Sequence, residues 1–202
     1  MLKQRLVAAG IAAVALMGSV GTAAAAQGQD QGSKSTVVTV GQGGNGGAAS
    51  EESASSGVRV VRPYEPVEIG QGALMGLLPE GRQNYVVAWS PESFAASVEA
   101  SKQYVGDDIR PNSLSGGISH SPERGTLITG AWRTDVDPAR ITVHTVDGTY
   151  DAGMLRLPGD PGWGTYHLDT GHSNAMDGPV TVIAHAPDGT VIDDLVMDFH
   201  TW

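Results

Sequence analysis

Two dipeptides do most to limit what this chain can fold into. Asp147-Gly148 separates the strand-like runs 141–146 and 150–157, and Asp188-Gly189 separates 180–186 from 191–199. Asp-Gly between apolar runs is a hairpin signal, because the two-residue turn needs positive φ at its centre. The flanking residues alternate as a half-buried strand does. Val180, Val182 and Ala184 share one face, with Thr181 and His185 opposite. Leu195, Met197 and Phe199 share another, with Asp194, Asp198 and His200 opposite. A strand with one apolar face must bury it against a second layer. The expectation is a mostly β chain of two packed antiparallel sheets, a β-sandwich, with a partly open barrel as the second choice.

The preceding region fits the same class. Short apolar runs at 58–61, 67–69, 74–78 and 85–89 are followed by one at 125–133, with turn residues between them. This spacing is the all-β pattern. One helix interrupts it. Ser90 is a suitable N-cap, Pro91 suits the first helical position and Glu92 complements the helix dipole. Phe94, Val98, Ser101 and Val105 make a thin apolar face, enough for a short helix over one end of a sheet. Residues 107–117 read as a loop.

The N-terminal quarter has different physics. Lys3 and Arg5 precede an apolar run over 6–20, and Ala24-Ala25-Ala26 offers a small-residue cleavage site before Gln27. That is the layout of a secretory signal peptide, 1–26. Residues 27–57 are rich in Gly, Ser and Gln and are expected to be a disordered linker, with a strand-like exception at 36–40. Residues 58–202 are then the β-sandwich domain. Cleavage leaves ten basic and 22 acidic side chains, a net charge of −12. That balance argues against a nucleic-acid partner, and no second apolar run is long enough for a membrane span after cleavage. The chain has no cysteine, so disulfides and thiol chemistry drop out. The expected location is secreted, extracellular.

The segment ARITVHTVDGTYDAGMLRLPGDPGWGTYHLD, preceded by GALMGLLPEGRQNYVVAW, resembles small secreted proteins of actinomycetes. The resemblance covers roughly residues 66–200. It implies export and an immunoglobulin-like sandwich, and it carries no functional residues over.

The densest stretch of unusual residues is LPGDPGWGTYHLDTGHSN, 157–174. Trp163, Tyr166, His167 and His172 are its candidates for contact with an extracellular protein or glycan. The structural alternative is that the two rings are core. Period-2 alternation sets Trp163 with Thr165 and His167, and Tyr166 with Gly164 and Leu168, on opposite faces. His167 and His172 flank Asp169 without a recognised ligand spacing, so no metal and no cofactor are assigned. Asp135 and Asp137 form a D-x-D turn, but the rest of a calcium loop is missing, and Asp107-Asp108 and Asp193-Asp194 add only scattered carboxylates. Ser113, Ser115, Ser119 and His120 fall in a Gly-rich segment without a nucleophile elbow, so no catalytic residue is assigned. The expected function is non-enzymatic binding, or association with the envelope or matrix. The alternatives are an extracellular hydrolase using loop Ser, His and Asp, and an inhibitor of a secreted protease presenting loop 107–117.

Overall fold

The computed structural model describes residues 57–81, 84–103, 109–171 and 177–198. The expected signal peptide 1–26, residues 27–56 of the expected linker, the strand-like run 36–40, Val105, Asp107, Asp108, His172, Phe199 and His200 all lie outside them. The described strands are β1 (Val58–Val60), β2 (Val67–Glu68), β3 (Leu74–Leu77), β4 (Tyr85–Ala88), β5 (Ser113–Ser121) and β6 (Gly125–Arg133). They continue with β7 (Arg140–Thr145), β8 (Gly148–Asp151), β9 (Gly153–Arg156), β10 (Trp163–Gly171), β11 (Val180–His185) and β12 (Val191–Met197). One helix, α1 (Pro91–Ser101), follows β4.

The described strands form three sheets rather than two, and none of these closes on itself. The central sheet runs β1-β9-β10-β6-β5, the outer sheet β12-β11-β7-β8, and a small sheet β2-β3-β4. Pairing is antiparallel except between β1 and β9. Both Asp-Gly dipeptides sit at hairpin turns, between β7 and β8 and between β11 and β12.

The third sheet changes what the central strands need. Met75 and Leu77 of the small sheet pack with Leu127, Leu155, Leu157 and Trp163 on one face of the central sheet. Ile128, Trp132, Met154 and Tyr166 on its other face pack with Ile141, Val143, Val180, Val182 and Ala184 of the outer sheet. The central strands are thus apolar on both faces, whereas β11 keeps the expected buried-and-half-buried alternation.

Run 150–157, read as one strand, is two. Thr142 pairs with Asp151 in the outer sheet, while Met154 pairs with Tyr166 in the central sheet. The chain changes sheets at Ala152, whose N–H donates to the Ile141 carbonyl at 2.9 Å. Segment 107–117 also departs from expectation, because Ser113 onward is the edge strand β5.

Helix α1 begins as its sequence predicts. Ser90 caps it in a reciprocal arrangement with Ser93, and Pro91 occupies the first turn. Phe94 and Val98 pack with Leu78, Val86 and Ala88. These side chains line the outer face of the small sheet, so the helix covers a face rather than an end. Phe94 lies where a Cβ at Gly76 would stand, and so a glycine is needed mid-strand.

Candidate functional site

The outer sheet turns its inner side chains to the core and leaves the other face to solvent. On β7, Ile141 and Val143 point inward, so alternation sends Arg140, Thr142 and His144 outward. The register places Thr149 opposite His144, Asp151 opposite Thr142, and His185 opposite Arg140. With Tyr150, these residues line an open depression of about 270 Å³.

Its centre is a hydrogen-bonded chain. The Thr142 hydroxyl lies 3.2 Å from His144 Nε2 and 3.0 Å from His185 Nε2. His144 Nδ1 in turn lies 2.9 Å from the Thr149 hydroxyl. Thr142 is buried, so its hydroxyl depends on these partners. Arg140 and Asp151 face each other at 3.8 Å as an exposed, weak ion pair.

A second, smaller depression of about 90 Å³ is lined by Gln71, Trp89, Ser119, Ser121 and Arg124. Trp89 is 37% exposed. The Arg124 guanidinium lies 4.8 Å from the centre of its ring, a cation–π contact. Behind the rim, the Gln71 side-chain amide donates to Asp169 at 2.7 Å. The Ser121 hydroxyl accepts from the Arg124 N–H at 3.0 Å, which ties the β5–β6 turn that carries the arginine.

Trp163, Tyr166 and His167, singled out in the sequence, are placed elsewhere. Trp163 and Tyr166 point to opposite faces of β10, as alternation requires, and both are buried. Neither ring is left for a surface role, because the central sheet is covered on both sides. His167 is half-buried, with its ring over Gly153 and a buried Nδ1 that has no hydrogen-bond partner. Desolvation, aided by the nearby Arg59 charge, lowers its pKa to about 4. His167 is therefore neutral at ordinary pH.

Of the remaining candidates, Ser119 lines the smaller depression, and the following are tied into the scaffold. His120 Nδ1 bonds the Thr126 hydroxyl at 2.8 Å, Ser113 donates to the Arg110 carbonyl, and Ser115 bonds the main chain of Ala131. Asp135 accepts from Asn112 at 2.8 Å, Asp137 lies 3.7 Å from Arg156, and Asp193 accepts the Leu114 N–H. Among the described residues, no three His, Asp or Glu side chains group closely enough to hold a metal ion.

Sequence reading missed Trp89, Arg124 and the His144/His185 pocket. The pocket has a sequence signal: in RITVHT the polar residues 140, 142 and 144 alternate with apolar ones. The juxtaposition of Trp89 and Arg124, 35 positions apart, has none. No family model, curated protein or solved structure matches this chain.

Proposed function

We propose that the chain is an exported, non-enzymatic binding protein that acts outside the cell or on its envelope or matrix. In this reading residues 58–202 are an immunoglobulin-like sandwich and residues 27–57 are a spacer behind a cleaved signal peptide. Among the described residues, no helix is long and apolar enough to cross a membrane. The acidic, cysteine-free composition fits an exported chain that depends on its core and avoids nucleic acid.

The observation that carries the binding reading is Trp89 under Arg124 at a depression rimmed by Ser119, Ser121 and Gln71. Trp and Arg are the side chains that contribute most at protein interfaces, and an exposed ring flanked by hydroxyls and an amide also suits a glycan. The partner is accordingly an extracellular protein or glycan. The hydrolase and inhibitor readings rank below it, because Ser113–Ser121 is a strand in which Ser113, Ser115 and His120 bond the scaffold.

The test separates export from binding. Mass spectrometry of protein from the culture medium should find Gln27 at the N-terminus. Retention on an isolated envelope fraction should then fall at least tenfold for Trp89→Ala, with the thermal midpoint little changed. A chain kept in the membrane with residues 1–26 intact overturns export. Equal retention of wild type and Trp89→Ala overturns the assigned surface.

A further inference from the structure

We propose that the pocket on the outer sheet binds a tetrahedral oxyanion, a sulfate or phosphate group, as His144 and His185 take up protons. This pocket lies apart from the Trp89 surface and does not depend on it.

One hydroxyl links the two rings. Thr142 has a single proton and two lone pairs, yet faces two ring nitrogens at 3.2 and 3.0 Å. With both rings neutral, the set closes on itself: one Nε2–H donates to Thr142, and Thr142 donates to the other Nε2. Imidazole is the side chain that changes charge between about pH 5 and 8. When the second ring is protonated, both Nε2–H groups donate to Thr142, and its own proton must turn away into the depression. The Thr149 hydroxyl, which meets His144 Nδ1 at 2.9 Å, is released as a donor in the same way. Proton uptake therefore turns a self-satisfied chain into two cationic rings and two free hydroxyl donors, with Arg140 at the rim.

The donor set favours an anion over a metal ion, because among the described residues no three His, Asp or Glu side chains group closely enough to hold one. A tetrahedral oxyanion accepts from donors on either side through different oxygens. It also separates two like charges that would otherwise repel.

Other charges around the pocket set the strength. Asp151, opposite Thr142 on β8, opposes an anion and competes for Arg140 at 3.8 Å. Asp194 of β12 pairs with Ile183 on the far side of β11, and Asp147 lies in the β7–β8 turn. Tyr150 completes the lining.

The probe is inorganic sulfate, which keeps both charges across the pH range, titrated calorimetrically into the full secreted chain in bis-Tris chloride. We expect one-site binding at pH ~5.5 at least tenfold tighter than at pH ~7.5. The H144Q/H185Q variant should lose that pH dependence. D151N should bind several-fold more tightly, a gain that damage to the fold cannot produce. A second arm with inorganic phosphate distinguishes the source. Phosphate carries its own proton at the lower pH and can donate to Asp151, so phosphate binding tighter than sulfate assigns a phosphate group, and the reverse order assigns a sulfate group. Affinity for both anions that is independent of pH, or unchanged in H144Q/H185Q, overturns the proposal. So does nickel binding at pH ~7.5 that disappears on acidification with no sulfate binding at either pH.

Discussion

The Tyr166 hydroxyl donates to the Ser115 carbonyl at 2.7 Å, across the intervening strand β6. The ring lies over Gly130 and reaches Gly116, and a Cβ on either glycine would collide with it. Burial also pushes its pKa up, so the hydroxyl remains a donor. The glycines of β5 and β6 are thus the floor on which one aromatic side chain crosses two strands. Removing the hydroxyl in Tyr166→Phe should cost about 1 kcal/mol. Gly130→Ala should cost more, about 3 kcal/mol, because the ring and the β5 main chain must both move. Urea unfolding of the two variants checks the order.

Trp163 reaches the other core from the same strand, beside Leu127, Leu155 and Leu157. Truncating it should cost about 3–5 kcal/mol, read as a fall in the denaturation midpoint without a change in slope. Trp89→Ala, in contrast, removes a ring that is 37% exposed and should cost under about 1 kcal/mol. Equal losses for the two tryptophans would contradict this division into core and surface.

These contrasts show what the sequence made legible. The two Asp-Gly hairpins, the buried alternation of Val180, Val182 and Ala184, and the Ser90 cap could be read directly, because each depends on residues within a few positions. The opposite facing of Trp163 and Tyr166 also followed from period 2. The fate of both rings did not, since Trp163 is covered by a small sheet formed some 90 positions earlier, between Val67 and Ala88, and Tyr166 by the outer sheet on the opposite face. The break at Ala152 was hidden for a similar reason. An apolar run that continues across a change of sheet has no local mark. The Trp89–Arg124 contact is set by tertiary pairing alone.

His167 makes stability depend on pH. Its folded pKa of about 4 lies below the usual imidazole value, first because the ring is desolvated and second because Arg59 is near. The unfolded chain therefore takes up a proton that the folded chain refuses. This term leaves stability intact above pH ~6.5 and erodes it as pH falls towards ~4, where the folded state also protonates. Between pH ~6.5 and ~5 the loss should be on the order of 2 kcal/mol. His167→Gln should remove that slope. Unfolding free energies at the two pH values check it, and identical slopes in both proteins would refute the assignment.

Asp193 performs a different task at the margin of the fold. β5 and β12 are edge strands of different sheets. Asp193 on β12 accepts the main-chain N–H of Leu114 on β5 at 3.0 Å. Leu195 and Met197 of the same strand approach Gly116. A carboxylate thereby takes an edge donor that another strand could otherwise use, and it joins the two sheets along this side. Asp193→Ala should leave that donor without its partner and cost about 1–2 kcal/mol. Asp194→Ala, one position along and exposed, should be nearly neutral. Hydrogen exchange gives the sharper reading. The Leu114 amide should lose protection in Asp193→Ala while amides of the central strand β10 keep theirs. Protection lost equally in β10 would mean that Asp193 supports the whole fold rather than this one seam.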